Sequence, residues 1–261
     1  MSESSTPVQS PSEAPSYTHG AFVWHELMTT DVEKAKAFYG QLFGWQFTAV
    51  DMGDMIYHLI NAGEQGVGGL FPTNAPDAPS AWMGSVSVPD VDAAAARVAN
   101  AGGQLLLPPM DAGTFGRYAT VMDPQGGVLS LFRSHSGDPV ESQMPAQWTF
   151  CWDQLNTSNP EAAGDFYAEV IGWNLVTPPD IPGYNVFMMG DAQEASCVPA
   201  PPGVPAHWIA HVYVGALKPS VQKAVELGAK VYVDEIAVPG MGAFSVIADP
   251  TGAMICLFGQ P

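Results

Sequence analysis

The chain has 261 residues, 47% of them hydrophobic, enough for two ordinary domains with real cores and too apolar for global disorder. Its 8 Lys and Arg face 26 Asp and Glu, a formal charge of −18, and so acidic a surface repels nucleic-acid phosphates and anionic lipid. Nucleic acid and membrane are thereby excluded as expected partners, and a small molecule remains. Three scattered cysteines, Cys151, Cys197 and Cys256, make neither a disulfide framework nor a zinc-ligand spacing, which points to a reducing, cytoplasmic setting.

In chain order, residues 1–19 begin MSESSTPVQSPSEAPS, without the basic and apolar regions of a signal peptide, and read as a disordered tail. AFVWHELMT then alternates as a strand does. A capping box follows, with Thr30 accepting from the third helical N–H and Glu33 reaching back. The predicted helix runs to FGW, stopped at Gly44. MIYHLINA and WMGSVSV read as strands, DVDAAAARVANAGG as a second helix, and YATVMDPQGGVLSLF as a hairpin turning on Asp-Pro-x-Gly.

The whole order then recurs. Trp24, Leu27, Thr29, Glu33, Phe38, Tyr39, Gly44 and Trp45 reappear 128 residues later as Trp152, Leu155, Thr157, Glu161, Phe166, Tyr167, Gly172 and Trp173. Ser158 and Glu161 repeat the capping box, and residues 116–132 match residues 242–258. Repetition at this length means two homologous domains, 20–133 and 148–259, joined by a polar linker over 134–147. Each is expected to be an α+β pair of βαβββ modules, with helices outside a curved sheet.

These segments, TTDVEKAKAFYGQLFGW, VPDVDAAAARVANAGG and MDPQGGVLSLF, resemble the vicinal oxygen chelate superfamily, which includes glyoxalase I, fosfomycin- and bleomycin-resistance proteins and extradiol dioxygenases. The opening W-x-E-L-x-T-x-D is similar to a bacterial subgroup of tandem glyoxalase-like proteins. The resemblance implies a cup in each sheet, holding in active members a divalent metal on His, Gln or Glu from the first, fifth and closing strands. Carried across by counting, those positions are Trp24, Met83 and Ser130 in the first half and Trp152, Ile209 and Cys256 in the second. None suits a hard divalent metal, so no cofactor is expected unless the register is one residue off, and the paired Trp would line an apolar cup.

Alternation nominates the neighbours. Phe22, Glu26 and Met28 are expected to face inward with Trp24, and His25 and Leu27 outward. Glu26 and His211 are the candidate acid–base residues, a carboxylate and an imidazole in partly dry cups. Gln154, Arg117, Tyr57 and Tyr184 join Trp24, Met83, Ser130, Trp152, Ile209 and Cys256 as candidate ligand contacts. Either Tyr57 or His58 faces the cup. Tyr39, Phe38 and Trp45 with their twins read as core, and Cys256 as a structural thiol. The expected function is metal-independent binding of a small molecule in aromatic-lined cups, by a monomer or homodimer. The alternative is a glyoxalase-, dioxygenase- or hydroxylase-like enzyme acting on a small carbonyl or aromatic compound.

Overall fold

The computed structural model describes residues 15–53, 55–73, 78–139, 144–179, 181 and 183–261. In the first half the alternating opening forms β1 (Phe22–Thr29), followed by α1 (Val32–Phe43), β2 (Gln46–Asp51), β3 (Ile56–Ala62) and β4 (Gln65–Pro72). The second module repeats this as β5 (Ala81–Ser87), α2 (Val91–Val98), β6 (Gln104–Ala112), β7 (Gly116–Met122) and β8 (Val128–Ser134). The second half gives β9 (Phe150–Thr157), α3 (Pro160–Val170), β10 (Asn174–Val176), β11 (Asn185–Met189) and β12 (Ala192–Pro199). It closes with β13 (His207–Ala216), α4 (Leu217–Glu226), β14 (Lys230–Val238), β15 (Gly242–Ala248) and β16 (Met254–Gln260).

Each half builds one mixed eight-stranded sheet, in the orders β2-β3-β4-β1-β5-β8-β7-β6 and β10-β11-β12-β9-β13-β16-β15-β14. The modules of one half meet along β1 and β5, or β9 and β13, which run antiparallel. One face of each sheet forms the cup and the other carries the helices. The halves therefore do not exchange strands.

They do share their helical layer. Helix α1 packs on α4 and α2 on α3, so each hydrophobic core is made by one module from each half. The repeated Phe-Tyr pair closes these cores. Trp208 Nε1 donates to Tyr167 Oη at 2.8 Å, and Tyr167 Oη donates to Asp123 Oδ2 of the other half at 3.1 Å. Asp123 also accepts from the N–H groups of Gln125 and Gly127, so the Asp-Pro turn is held by the residue that crosses the seam. In the twin, Trp82 Nε1 donates to Tyr39 Oη at 2.8 Å, and burial, with the charge of Asp249 added to it, drives the Tyr39 phenol well up. At the centre of the seam His25 Nε2 lies 3.1 and 3.0 Å from the two carboxylate oxygens of Asp153, its own counterpart in the repeat, while Phe150 stacks on the imidazole.

Three expectations change. The helix caps are Asp31 and Asn159, which accept from Lys34 N and Ala162 N; Thr30 and Ser158 lie one residue outside, and Glu33 pairs with Lys36 instead. A carboxylate or carboxamide one position closer reaches the third N–H, which displaces the hydroxyl from that role. Phe22 faces outward, packing on His25, Trp173 and Trp208, because the β1–β5 register shifts between Phe22 and Trp24 and reverses the alternation there. Residues 15–19 pack on the first half rather than belonging to a disordered tail: Tyr17 Oη donates to Ser134 O, and the Arg133 guanidinium lies over the Tyr17 ring. Residues 1–14, and residues 140–143 of the linker, lie outside the described residues.

Candidate functional site

The two cups are built on the same plan. In the first, β1 turns Trp24, Glu26 and Met28 inward, and antiparallel pairing sets Trp24 against Ser85 and Glu26 against Met83. Parallel pairing then sets Ser85 beside Ser130 and Glu26 beside Gly69. Trp24 Nε1 donates to Tyr57 Oη at 2.9 Å, and Tyr57 Oη donates to Glu26 Oε1 at 2.8 Å. Tyr57 thus faces the cup, while His58 is buried on the helical side near Glu33 and Lys36.

That hydroxyl bridge exists because residue 69 is glycine. A Cβ at Gly69 would overlap the Tyr57 hydroxyl. Burial drives the Glu26 carboxyl up from its ordinary value, partly offset by the Tyr57 hydrogen bond, and burial with the Glu26 charge drives the Tyr57 phenol well up. Below them lies a hydroxyl floor: Thr120 and Ser130 are 3.3 Å apart, and Ser130 Oγ lies 3.7 Å from Met83 Sδ. Phe71 stacks on Tyr57 with ring centroids 5.9 Å apart.

In the second cup Trp152 Nε1 donates to Ser196 Oγ at 3.0 Å, and Ser196 Oγ donates to Gln154 Oε1 at 3.3 Å. Ser196 pairs with Gln154 as Gly69 pairs with Glu26, so its hydroxyl takes over the bridge from a tyrosine. Tyr184, which matches Tyr57 in register, bonds with Ser196 and Trp152. The polar chain then runs outward through Asn156 to His207. The floor differs from that of the first cup. His211 pairs with Trp152 on one side and Cys256 on the other; with Ile209 it is buried, and Phe244 stands edge-on to it at 5.2 Å. Burial pushes the His211 imidazole down to about 4, and its Nδ1 is buried without a partner, so the ring is neutral at physiological pH. Burial raises the Cys256 thiol well above its usual range, which makes it inert packing rather than a nucleophile.

Arg117 does not reach the cup mouth. It lies on the outer face of β7, tied to Asp92 by Nε and Nη2 and to Asp111 by Nη1. Alternation accounts for this: Ala119 and Val121, two and four residues on, belong to the helical core. Gly69, Ser196, Ser85 and Thr120 were not foreseen; the GVGGLF run was the one visible hint, since glycines in a strand mark a close approach.

The metal carried by active relatives would need donors at Trp24, Met83 and Ser130, or at Trp152, Ile209 and Cys256. An indole, a thioether and an alcohol, or an indole, an alkyl group and one deeply buried thiol, do not make a hard-metal ligand set. Among the described residues no group of three or more His, Cys, Asp or Glu is placed to hold a metal ion. Nor, among them, is any helix long and apolar enough to cross a membrane.

Comparison with known proteins agrees with this architecture. Residues 21–131 match the Glyoxalase/Bleomycin resistance protein/Dioxygenase superfamily, and residues 149–258 match the Glyoxalase-like domain. The chain is 33% identical over 248 residues to "Putative glyoxylase CFP32" of Mycobacterium tuberculosis (strain CDC 1551 / Oshkosh), covering 91% of this chain and 94% of that one. It is 29% identical to "Anthracycline biosynthesis protein DnrV" of Streptomyces peucetius, covering 91% and 92%. In fold it is similar to the Mn(II)-bound glyoxalase from Novosphingobium aromaticivorans, with TM-score 0.65, 16% identity and coverage of 93% and 82%. The 2,3-dioxygenase LapB from Pseudomonas sp. KL28 gives 0.64, 14% identity and 94% of both chains. Two sheets, two cups and two family matches at the places of the internal repeat lead to one statement: the chain belongs to the glyoxalase/bleomycin-resistance/dioxygenase superfamily and carries two of its domains in tandem.

Proposed function

We propose that this protein binds a small organic molecule in its first cup and does so without a divalent metal. The observation that carries the reading is the Trp24–Tyr57–Glu26 chain, which begins at Trp24, one of the three positions where the resemblance would place a metal ligand. An apolar, aromatic wall with a few convergent polar groups is how small-molecule sites are usually built. The relative named for anthracycline biosynthesis supports a place beside the chemistry of small organic products. The second cup, floored by buried Ile209, His211 and Cys256, serves as a packed counterpart.

The test is the metal content of untagged protein purified without chelator, read alongside melting temperature in the presence of organic ligands. Less than a tenth of an equivalent of any divalent ion, with ligand-dependent stabilisation, is the expected result. One equivalent of a specific divalent ion, lost together with ligand binding on chelation, would sink the proposal.

A second reading is cofactor-free acid–base catalysis by Glu26, favoured by its raised carboxyl and the Tyr57 donor beside it. Glu26→Gln separates the two: a binder keeps its affinity for neutral ligands, whereas an enzyme loses turnover while still binding substrate.

A further inference from the structure

Every permanent positive side chain in this protein can be located. Of the eight Lys and Arg, Lys34 is exposed on α1, Lys36 pairs with Glu33, and Arg97 donates to the backbone carbonyls of Glu169 and Val170. Arg117 is held by Asp92 and Asp111, and Arg133 lies over Tyr17. Lys218 pairs with Glu235, Lys223 reaches Leu42 O, and Lys230 lies over Tyr232. None forms a salt bridge with Glu26, whose carboxylate takes a hydrogen bond from Tyr57. A carboxylate partly removed from water and without a cation is costly unless something supplies the charge.

Resting on the proposal that the first cup binds an organic ligand, we infer that the ligand is an organic cation: a protonated amine carried on a flat aromatic body. The amine would meet Glu26, and the body would lie among the rings of Trp24, Tyr57 and Phe71, whose faces attract cations. The chain's charge of −18 draws cations and disfavours anions before contact. The second cup has Gln154 in the matching place, a neutral amide already bonded to Asn156 and Ser196, and so lacks the charge that selects the amine. Ionised Glu26 is the binding form, so affinity for the cation rises as pH rises through the Glu26 titration.

The experiment compares three probes of one shape by tryptophan quenching at moderate salt: 9-aminoacridine as the cation, acridine as the neutral body, and acridine-9-carboxylate as the anion. The expected order is cation over neutral by tenfold or more, with the carboxylate weakest. Glu26→Gln should remove the cation's advantage while leaving acridine binding unchanged, which also shows that the variant is folded. Glu64→Gln, on the exposed turn between β3 and β4, controls for non-specific attraction and should change nothing. Equal binding of cation and neutral probe, or a cation advantage that survives Glu26→Gln, overturns the cation inference and leaves the aromatic-cup proposal standing. Failure of all three probes to bind overturns both.

Discussion

The two cups have the same backbone and nearly the same polar chain, yet they differ in what they keep free. In the first, a tyrosine hydroxyl bridges an indole to a carboxylate, and glycine at position 69 leaves the space for it. In the second, serine at the matching place bridges indole to amide, and the floor is an imidazole, a thiol and an isoleucine, all buried. Duplication supplied two copies of one scaffold; a handful of side chains set one against the other as ionisable cup and packed cup. The same contrast appears in the titrations, since burial raises the carboxyl of the first and lowers the imidazole of the second.

The most disruptive way to break the comparison is Gly69→Val. Its branched side chain would collide with the Tyr57 hydroxyl, so ligand binding in the first cup should vanish and urea unfolding should show a loss of about 3 kcal/mol. Next in size is the acid limb. The folded His211 value of about 4 lies below the ordinary unfolded value near 6.5, so the folded state binds fewer protons. The stability this contributes is complete above pH 6.5 and is lost as pH falls toward 4, by about 3 kcal/mol. His211→Phe should flatten that decline between pH 7 and 4, and an unchanged slope would remove His211 as its source.

A smaller effect sharpens the contrast. Tyr57→Phe leaves Trp24 without its acceptor and Glu26 without its donor, at about 1–2 kcal/mol, whereas Ser196→Ala leaves Tyr184 beside Trp152 and should cost less. Only the first variant should also weaken ligand binding; equal binding losses in both would erase the difference between the cups. The smallest effect is on the alkaline side. The folded Glu26 value lies above the unfolded one, so its contribution is present at low pH and fades as pH rises through the folded value. Glu26→Gln should remove that slope in denaturation followed as a function of pH.

Much of this was legible in one dimension. The spacing of Trp24 to Trp45 and of Trp152 to Trp173 gives the duplication directly, because homologous domains repeat their core and cap residues at a fixed offset. Trp24 was nominated by the family resemblance and Glu26 by period-two alternation from it, and the two lie on the same face of β1, bridged by Tyr57. The same rule misplaced Phe22, since a register shift between strands leaves no mark in the pattern it reverses. Arg117 went astray for a related reason: its charge suggested a ligand, but its partners Asp92 and Asp111 come from a helix and a neighbouring strand.

The sequence by itself determined the order of elements and the two domains, because these depend on local periodicity and on repetition at a fixed offset. Only the tertiary structure decided that Tyr57 rather than His58 enters the cup, that Gly69 makes room for it, and that the halves interlock through His25–Asp153 and Tyr167–Asp123. Those contacts join residues from different strands or different halves, up to 128 positions apart, and their partners are chosen by sheet register and by the packing of helices across the seam.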